Sequence, residues 1–272
     1  MVAIFIVTCA FFVQANNRWE EKKSWEKFFS QVKINGSFLL YDLNQNKYYS
    51  YNSQRVKAKY VPASTFKIFN SLVLLDTGVV KDVDEVVKWD GVDRKLPDWN
   101  RDQSMREAIR TSTVWFYQRL ARDIGQSKMQ TYINRAGYGN RNIDGGIDHF
   151  WLDGKLKISS LEQVQFLIRL HRNQLPFAQK NLDLVKDLLI EEKTEAYILR
   201  GKTGWAGATD PENGQWVGFV KNESQIGWWI GYIERKEGAF FFAINIDIQK
   251  QEDAGARKAV AKEILREMKV ID

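Results

Sequence analysis

The chain has 272 residues, 44% hydrophobic and 13% aromatic with ten Trp, enough for a sizeable core and incompatible with disorder. Its formal charge of +6 arises from Lys and Arg mixed with Asp and Glu throughout, which reads as a solvated surface and not a nucleic-acid-binding face. One Cys and two His provide neither a zinc site nor a disulfide framework, and neither His stands in the context of a Ser-His-Asp triad.

In chain order, Val2 to Val13 form an apolar stretch too short to span a bilayer, followed by Val13-Gln14-Ala15 and polar Asn16 and Asn17. This reads as a signal peptide over residues 1–15, although no Lys or Arg follows Met1. It predicts an exported protein, periplasmic or secreted, that loses Cys9 with its leader; Val7-Thr8 fits a lipid-anchor site poorly. Trp25, Phe28, Phe29 and Val32 have helical spacing, with Gly36 as the expected stop. Ser37 to Leu43 and Lys47 to Tyr51 read as strands joined by a turn at Asn44-Gln45-Asn46.

The middle of the chain is helical in pattern. A helix opening at Ser64 runs through Leu75 to Gly78, and Ser104 with Glu107 forms a capping box before a segment ending at Arg110. Trp115 to Ile124 closes at Gly125. Ser160 with Gln163 predicts a second capping box and a helix through Leu170, with His171 as a cation at its C-terminus. Val185 to Ile190 ends this region. Tyr197 to Thr203, Ile226 to Glu234 and Ala239 to Ile248 are aromatic and β-branched strands, and an amphipathic helix from about Asp253 to Met268 closes the chain.

Strands at both ends of a helical middle predict an α+β fold, with a central antiparallel sheet formed by both chain ends, flanking helices and an inserted all-helical lobe. Residues 16–272 then form one domain of two interleaved lobes, a sheet lobe at about 16–60 and 191–272 and a helical lobe at about 61–190. A cleft between such lobes is the expected place for a small-ligand site.

The chemistry-bearing pattern is Ser64-Thr65-Phe66-Lys67 at a helix start, with Lys202-Thr203-Gly204 in a later strand. Helical spacing puts Ser64 and Lys67 on one face, with an amine beside a hydroxyl that is otherwise a weak nucleophile. On the tetrad alone, an N-cap serine is the simpler reading of Ser64. Lys67 stands among Phe66, Ile68 and Phe69, so burial would lower its pKa and make a neutral amine accessible; a snorkelling lysine is the alternative. Ser112 lies between helical segments, where a second hydroxyl can relay a proton, and Gly204 lets a ligand approach the strand closely while Lys202 and Thr203 hold a carboxylate. Each short match is common by chance, but the ordered set is not.

The chain resembles class D serine β-lactamases, the oxacillinases, over essentially its whole length after the leader. The resemblance rests on Pro62-Ala63-Ser64-Thr65-Phe66-Lys67, Trp89-Asp90-Gly91, Trp99-Asn100-Arg101-Asp102, Tyr138-Gly139-Asn140, Phe150-Trp151-Leu152-Asp153-Gly154, Lys202-Thr203-Gly204 and Gly227-Trp228-Trp229. Ser112-Thr113-Val114 stands where class A enzymes carry Ser-Asp-Asn.

The resemblance implies hydrolysis of penicillins and related β-lactams through acyl-Ser64, with Lys67 as general base after N6-carboxylation by carbon dioxide or bicarbonate, and no other cofactor and no metal. It implies that Trp151 donates to that carboxylate, Val114 packs beside it and Ser112 protonates the leaving nitrogen. The oxyanion hole would be the backbone N–H groups of Ser64 and Trp205. Tyr138, Lys202, Thr203, Gly204 and Arg257 would bind substrate, with no nucleic-acid partner, no membrane span, and a monomer or homodimer. Trp205 to Ile226, containing Asp210-Pro211-Glu212-Asn213-Gly214 and a strand-like Trp216 to Val220, is longer than this family leads one to expect and bears on substrate range. A penicillin-sensing domain or a peptidoglycan transpeptidase or carboxypeptidase shares the acylation step without rapid turnover. A secreted basic surface-binding protein with a decayed site is disfavoured by the intact Ser64, Lys67, Ser112, Trp151 and Lys202.

Overall fold

The computed structural model describes residues 18–94, 96–207 and 225–272. The leader and the strand-like Trp216 to Val220 lie outside them.

The elements in chain order are β1 (Trp19–Glu21), α1 (Glu26–Gln31), β2 (Gly36–Asp42), β3 (Lys47–Tyr51), α2 (Ser53–Lys57) and β4 (Lys59–Tyr60). A 3₁₀ turn at Ala63–Phe66 leads into α3 (Lys67–Asp76), followed by α4 (Met105–Arg110), α5 (Val114–Ile124) and α6 (Gln126–Ala136). The chain then forms β5 (Ile158–Ser159), α7 (Ser160–His171), α8 (Gln179–Leu188), β6 (Ile190–Lys193) and β7 (Tyr197–Ala206). β8 (Gln225–Arg235), β9 (Gly238–Ile248) and α9 (Asp253–Glu267) complete it.

Among the described residues, seven strands form one sheet in the order β1-β3-β2-β9-β8-β7-β6, so both chain ends build it as expected. All neighbours are antiparallel except the short edge strand β1, which runs parallel to β3. Alternation along β9 explains the layering: Phe241 and Ala243 face one core while Phe242 and Ile244 face the other. The first core lies under α3 to α8, and the second under α1 and α9. Among the described residues, no helix is long and apolar enough to cross a membrane, and no three His, Cys, Asp or Glu side chains are grouped to hold a metal.

Several boundaries differ from expectation. The first helix stops at Gln31, with Lys33 taking the left-handed conformation (φ 55°), and Gly36 opens β2 instead. A Cβ there would meet Asn245 O and Phe29 Cε1, each at 2.7 Å, so close packing explains that glycine. The second capping box is Ser159 with Glu162, one residue earlier than expected, because Ser159 is extended and paired in β5, leaving Ser160 as the first helical residue. Ile190 belongs to an edge strand with a register shift to Glu192, not to the helical region. His171 does end α7, but burial, followed by the nearby Lys186, Arg200 and Arg172, lowers its pKa, and its ring packs edge-on against Tyr232 and Phe241. It is a half-buried imidazole with Nε2 3.3 Å from Glu234 Oε1, and its lowered pKa keeps it neutral at neutral pH, so it is not a capping cation.

Candidate active site

The turn at Pro62 to Phe66 is clamped from three directions. Thr65 Oγ1 donates to Pro62 O at 2.7 Å, Gln163 Nε2 of α7 donates to Thr65 Oγ1 at 2.8 Å, and Trp228 Nε1 of β8 donates to Val61 O at 2.9 Å. Ala63 sits at φ 48°, an uncommon conformation for a residue with a Cβ, immediately before Ser64. Ser64 is 8% exposed and makes no capping bond at this helix start, which removes the N-cap reading.

Lys67 is fully buried, and its Nζ donates to Ser64 Oγ at 2.8 Å. Burial first, and the Lys202 charge second, hold its pKa well below the ordinary lysine value, so its amine is available in neutral form. A snorkelling lysine would reach water; this one does not. Beneath it lies the ring of Tyr117, 5.3 Å from Nζ, whose hydroxyl is 2.9 Å from Ser71 Oγ and is pushed up in pKa by burial.

Trp151 is fully buried and stacks on Phe66 with ring centroids 5.4 Å apart. Its Nε1 has no hydrogen-bond partner among the described residues, which is costly in a dry site unless an acceptor joins it. Val114, 4% exposed, opens α5 on the same cavity wall as Ser112.

Ser112 occupies the connection between α4 and α5 at φ 58°, and Lys202 Nζ donates to its Oγ at 2.5 Å and to Thr203 O at 3.0 Å. Burial, then repulsion from Arg257, lowers Lys202 to about 7. Gly204 carries β7 against the serine turn: a Cβ there would stand 2.9 Å from Pro62 O and 3.1 Å from Thr65 Cγ2. Arg257, in the first turns of α9, donates from Nη1 to Gly204 O at 2.9 Å, and burial lowers it to about 10. The Trp205 indole donates to Gln225 Oε1 at 2.5 Å.

A cavity of about 290 Å³ joins Ser64, Ser112, Val114, Thr203, Gly204, Trp205 and Arg257. Lys67, Lys202 and Trp151 stand behind its wall, linked to it through Ser64, Ser112 and the Phe66 stack. Tyr138 is not part of it. Its ring is 1% exposed and wedged against Phe66, Phe69 and Phe166, because the turn after α6 points it into the helical core. Its expected place in substrate binding is therefore corrected.

The opposite cavity wall contains Leu96, Pro97, Asp98, Trp99 and Leu152, which residue-by-residue reading passed over. Trp99 and Leu152 belong to the Trp99-Asn100-Arg101-Asp102 and Phe150-Trp151-Leu152-Asp153-Gly154 motifs, whereas Leu96 to Asp98 have no local signature. Trp99 Nε1 donates to Thr111 O at 3.0 Å and Trp99 O accepts from Trp115 Nε1 at 2.7 Å, which ties that wall to the Ser112 connection. Tyr117 was also missed, although it follows Val114 by three residues on one helical face.

A buried serine–lysine pair at a helix start, faced by a second serine–lysine pair that joins the α4–α5 connection to β7, defines the penicillin-recognising class of proteins. A family model described as the penicillin binding protein transpeptidase domain matches residues 35–266. Within that class the chain belongs to the class D β-lactamases. It is 38% identical to Beta-lactamase OXA-48 of Klebsiella pneumoniae, across 99% of this chain and 97% of the relative. It is 37% identical to Beta-lactamase OXA-10 of Pseudomonas aeruginosa over the same shares. The fold matches the class D β-lactamase YbXI from Nostoc with a TM-score of 0.82 and 47% identity, covering 89% of this chain and 97% of that one. It matches FUS-1 (OXA-85) from Fusobacterium nucleatum subsp. polymorphum with a TM-score of 0.85 and 40% identity, covering 93% and 100%.

Proposed function

We propose that this protein hydrolyses the β-lactam amide of penicillins and related antibiotics through an acyl-Ser64 intermediate, and so confers resistance on its host. The observation that carries the reading is the 2.8 Å contact between Ser64 Oγ and the fully buried Lys67 Nζ, opening on the cavity. We take residues 16–272 as one catalytic domain of two interleaved lobes, exported after loss of residues 1–15.

Lys67 and Trp151 fit a carboxylated lysine: a neutral buried amine is the form that adds to carbon dioxide, and the partnerless Trp151 Nε1 is a ready donor to the product. When present, that group supplies a base stronger in position than free carboxylate in water. The Lys67 side chain removes the Oγ proton as Ser64 attacks the lactam carbonyl, forming the Oγ–C bond. The backbone N–H groups of Ser64 and Trp205 stabilise the oxyanion that develops. As the C–N bond breaks, Ser112 Oγ gives its proton to the nitrogen and is resupplied by Lys202 Nζ, its hydrogen-bond donor. Thr203 Oγ1, Lys202 and Arg257 hold the substrate carboxylate. The proton taken up by Lys67 passes through water to Lys202, which restores both groups. Water then attacks the acyl carbon, the Lys67 side chain takes its proton and delivers it to Ser64 Oγ as the Oγ–C bond breaks, and the opened product leaves.

The test is to mix purified protein with excess chromogenic cephalosporin in bicarbonate and follow product past one equivalent of enzyme. Sustained turnover that Ser64→Ala abolishes is expected. A burst that stops at one equivalent and leaves a stable acyl-Ser64 would assign the chain to the sensor or transpeptidase reading.

A further inference from the structure

One buried polar side chain beside Lys67 remains unexplained by these roles. Asn70 is fully buried on α3, and among the described residues neither its Oδ1 nor its Nδ2 has a hydrogen-bond partner. A buried amide with both ends unsatisfied is costly, and a leucine, branched in the same way, would occupy an apolar helix face without unsatisfied polar atoms. Its location is specific. Asn70 follows Lys67 by three residues and Phe66 by four, so it shares a helical face with both. Helical side chains lean toward the N-terminus and cover the preceding turn, which brings the amide back over Phe66 and Lys67. Trp151 stacks on that same Phe66. Two polar groups without a partner among the described residues therefore border the helical turn that carries the catalytic lysine, the Trp151 indole through its stack on Phe66 and the Asn70 amide through its place on α3.

We propose that Asn70 is a further ligand of the carboxylate on Lys67, its Nδ2 donating to that anion alongside Trp151 Nε1. The inference rests on the carboxylation reading given above. In carboxylation the neutral Nζ adds to the carbon of carbon dioxide, an N–C bond forms, and one N–H proton leaves to solvent, creating a buried anion. Such an anion persists only where donors replace its lost hydration. Among the groups around Lys67, Tyr117 already exchanges its hydroxyl bond with Ser71, and Phe66 offers none. Asn70 contributes two N–H donors without a charge.

The experiment titrates the full chain with ¹³C-bicarbonate at fixed pH and reads the lysine carbamate signal by NMR, with thermal unfolding run in parallel. Wild type, Asn70→Leu and Asn70→Asp are compared. Asn70→Leu is expected to fold with an equal or higher Tm while requiring at least tenfold more bicarbonate for half-maximal signal. Asn70→Asp, isosteric but acidic, is expected to require more still through like-charge repulsion. An Asn70→Leu protein that titrates like wild type would overturn the proposal. Should that variant not fold, a wild-type titration in Asn70→Asp does the same. Absence of the signal from wild type itself would overturn the carboxylation reading, and is thereby distinguished from failure of the Asn70 role.

Discussion

Lys202 Nζ lies 2.5 Å from Ser112 Oγ although ninety positions separate them in the chain. The contact joins β7 to the connection between α4 and α5, and brings together the proposed proton donor and the proposed carboxylate clamp. Lys202 is 5% exposed and lowered to about 7, chiefly by burial. It therefore loses its charge as pH rises through neutrality, while Lys67, also lowered, must be neutral to act and gains its proton as pH falls. The expected kcat/KM profile is a bell, with an alkaline limb near 7 from Lys202 and an acid limb from Lys67. Lys202→Arg, which keeps its charge, should abolish the alkaline limb; an unchanged limb in that variant would assign it elsewhere.

The same burial sets stability against function at Lys67. In the unfolded chain its amine holds a proton up to about 10.5, whereas burial and the Lys202 charge make the folded amine give up its proton at a lower pH. The unfolded state thus binds more protons, and stability contributed through this group rises with pH between the lowered folded pKa and the unfolded one. Lys67→Leu should abolish turnover and stabilise the protein at pH 7 by about 1–2 kcal/mol, with the gain shrinking toward pH 10. Urea unfolding of both proteins at the two pH values measures it.

Gly204 provides a purely steric test. A Cβ at this position would meet Pro62 O at 2.9 Å and Thr65 N at 3.3 Å, both of them backbone atoms that cannot swing aside. Gly204→Ala should part β7 from the serine turn, cost about 1–3 kcal/mol in stability and reduce kcat/KM on the order of a hundredfold through misplacement of Ser64. Full activity with normal stability would mean that the strand and turn do not need their close approach.

Legibility in the sequence followed the range of the forces involved. Ser64 and Lys67 were readable together because helical spacing alone makes them neighbours, and the apolar flanks of Lys67 announced its burial. The Ser104 capping box was readable because all its partners lie within one turn. Tyr138 was misplaced because its direction depends on how the turn after α6 packs on Phe66 and Phe69, which no local pattern encodes. The parallel pairing of β1 with β3 and the wall from Leu96 to Trp99 are likewise tertiary choices, made by residues whose own propensities are weak.

Trp151 separates packing from hydrogen bonding most cleanly. Its ring contributes to the Phe66 and Phe150 cluster, and its Nε1 makes no hydrogen bond among the described residues. Trp151→Phe keeps an aromatic ring in that cluster and deletes only the donor and part of the ring, so stability should change by no more than about 1–3 kcal/mol. If the indole N–H serves only the carboxylate on Lys67, its loss acts on the base needed for both chemical steps. Deacylation, which must also activate a water molecule, should slow more than acylation, so that the variant shows a burst of one equivalent and then a slow steady rate. Pre-steady-state kinetics of the variant in saturating bicarbonate measures both steps, and partial recovery relative to low bicarbonate is expected. Equal slowing of the two steps, insensitive to bicarbonate, would instead place Trp151 among the core aromatics and remove it from the chemistry.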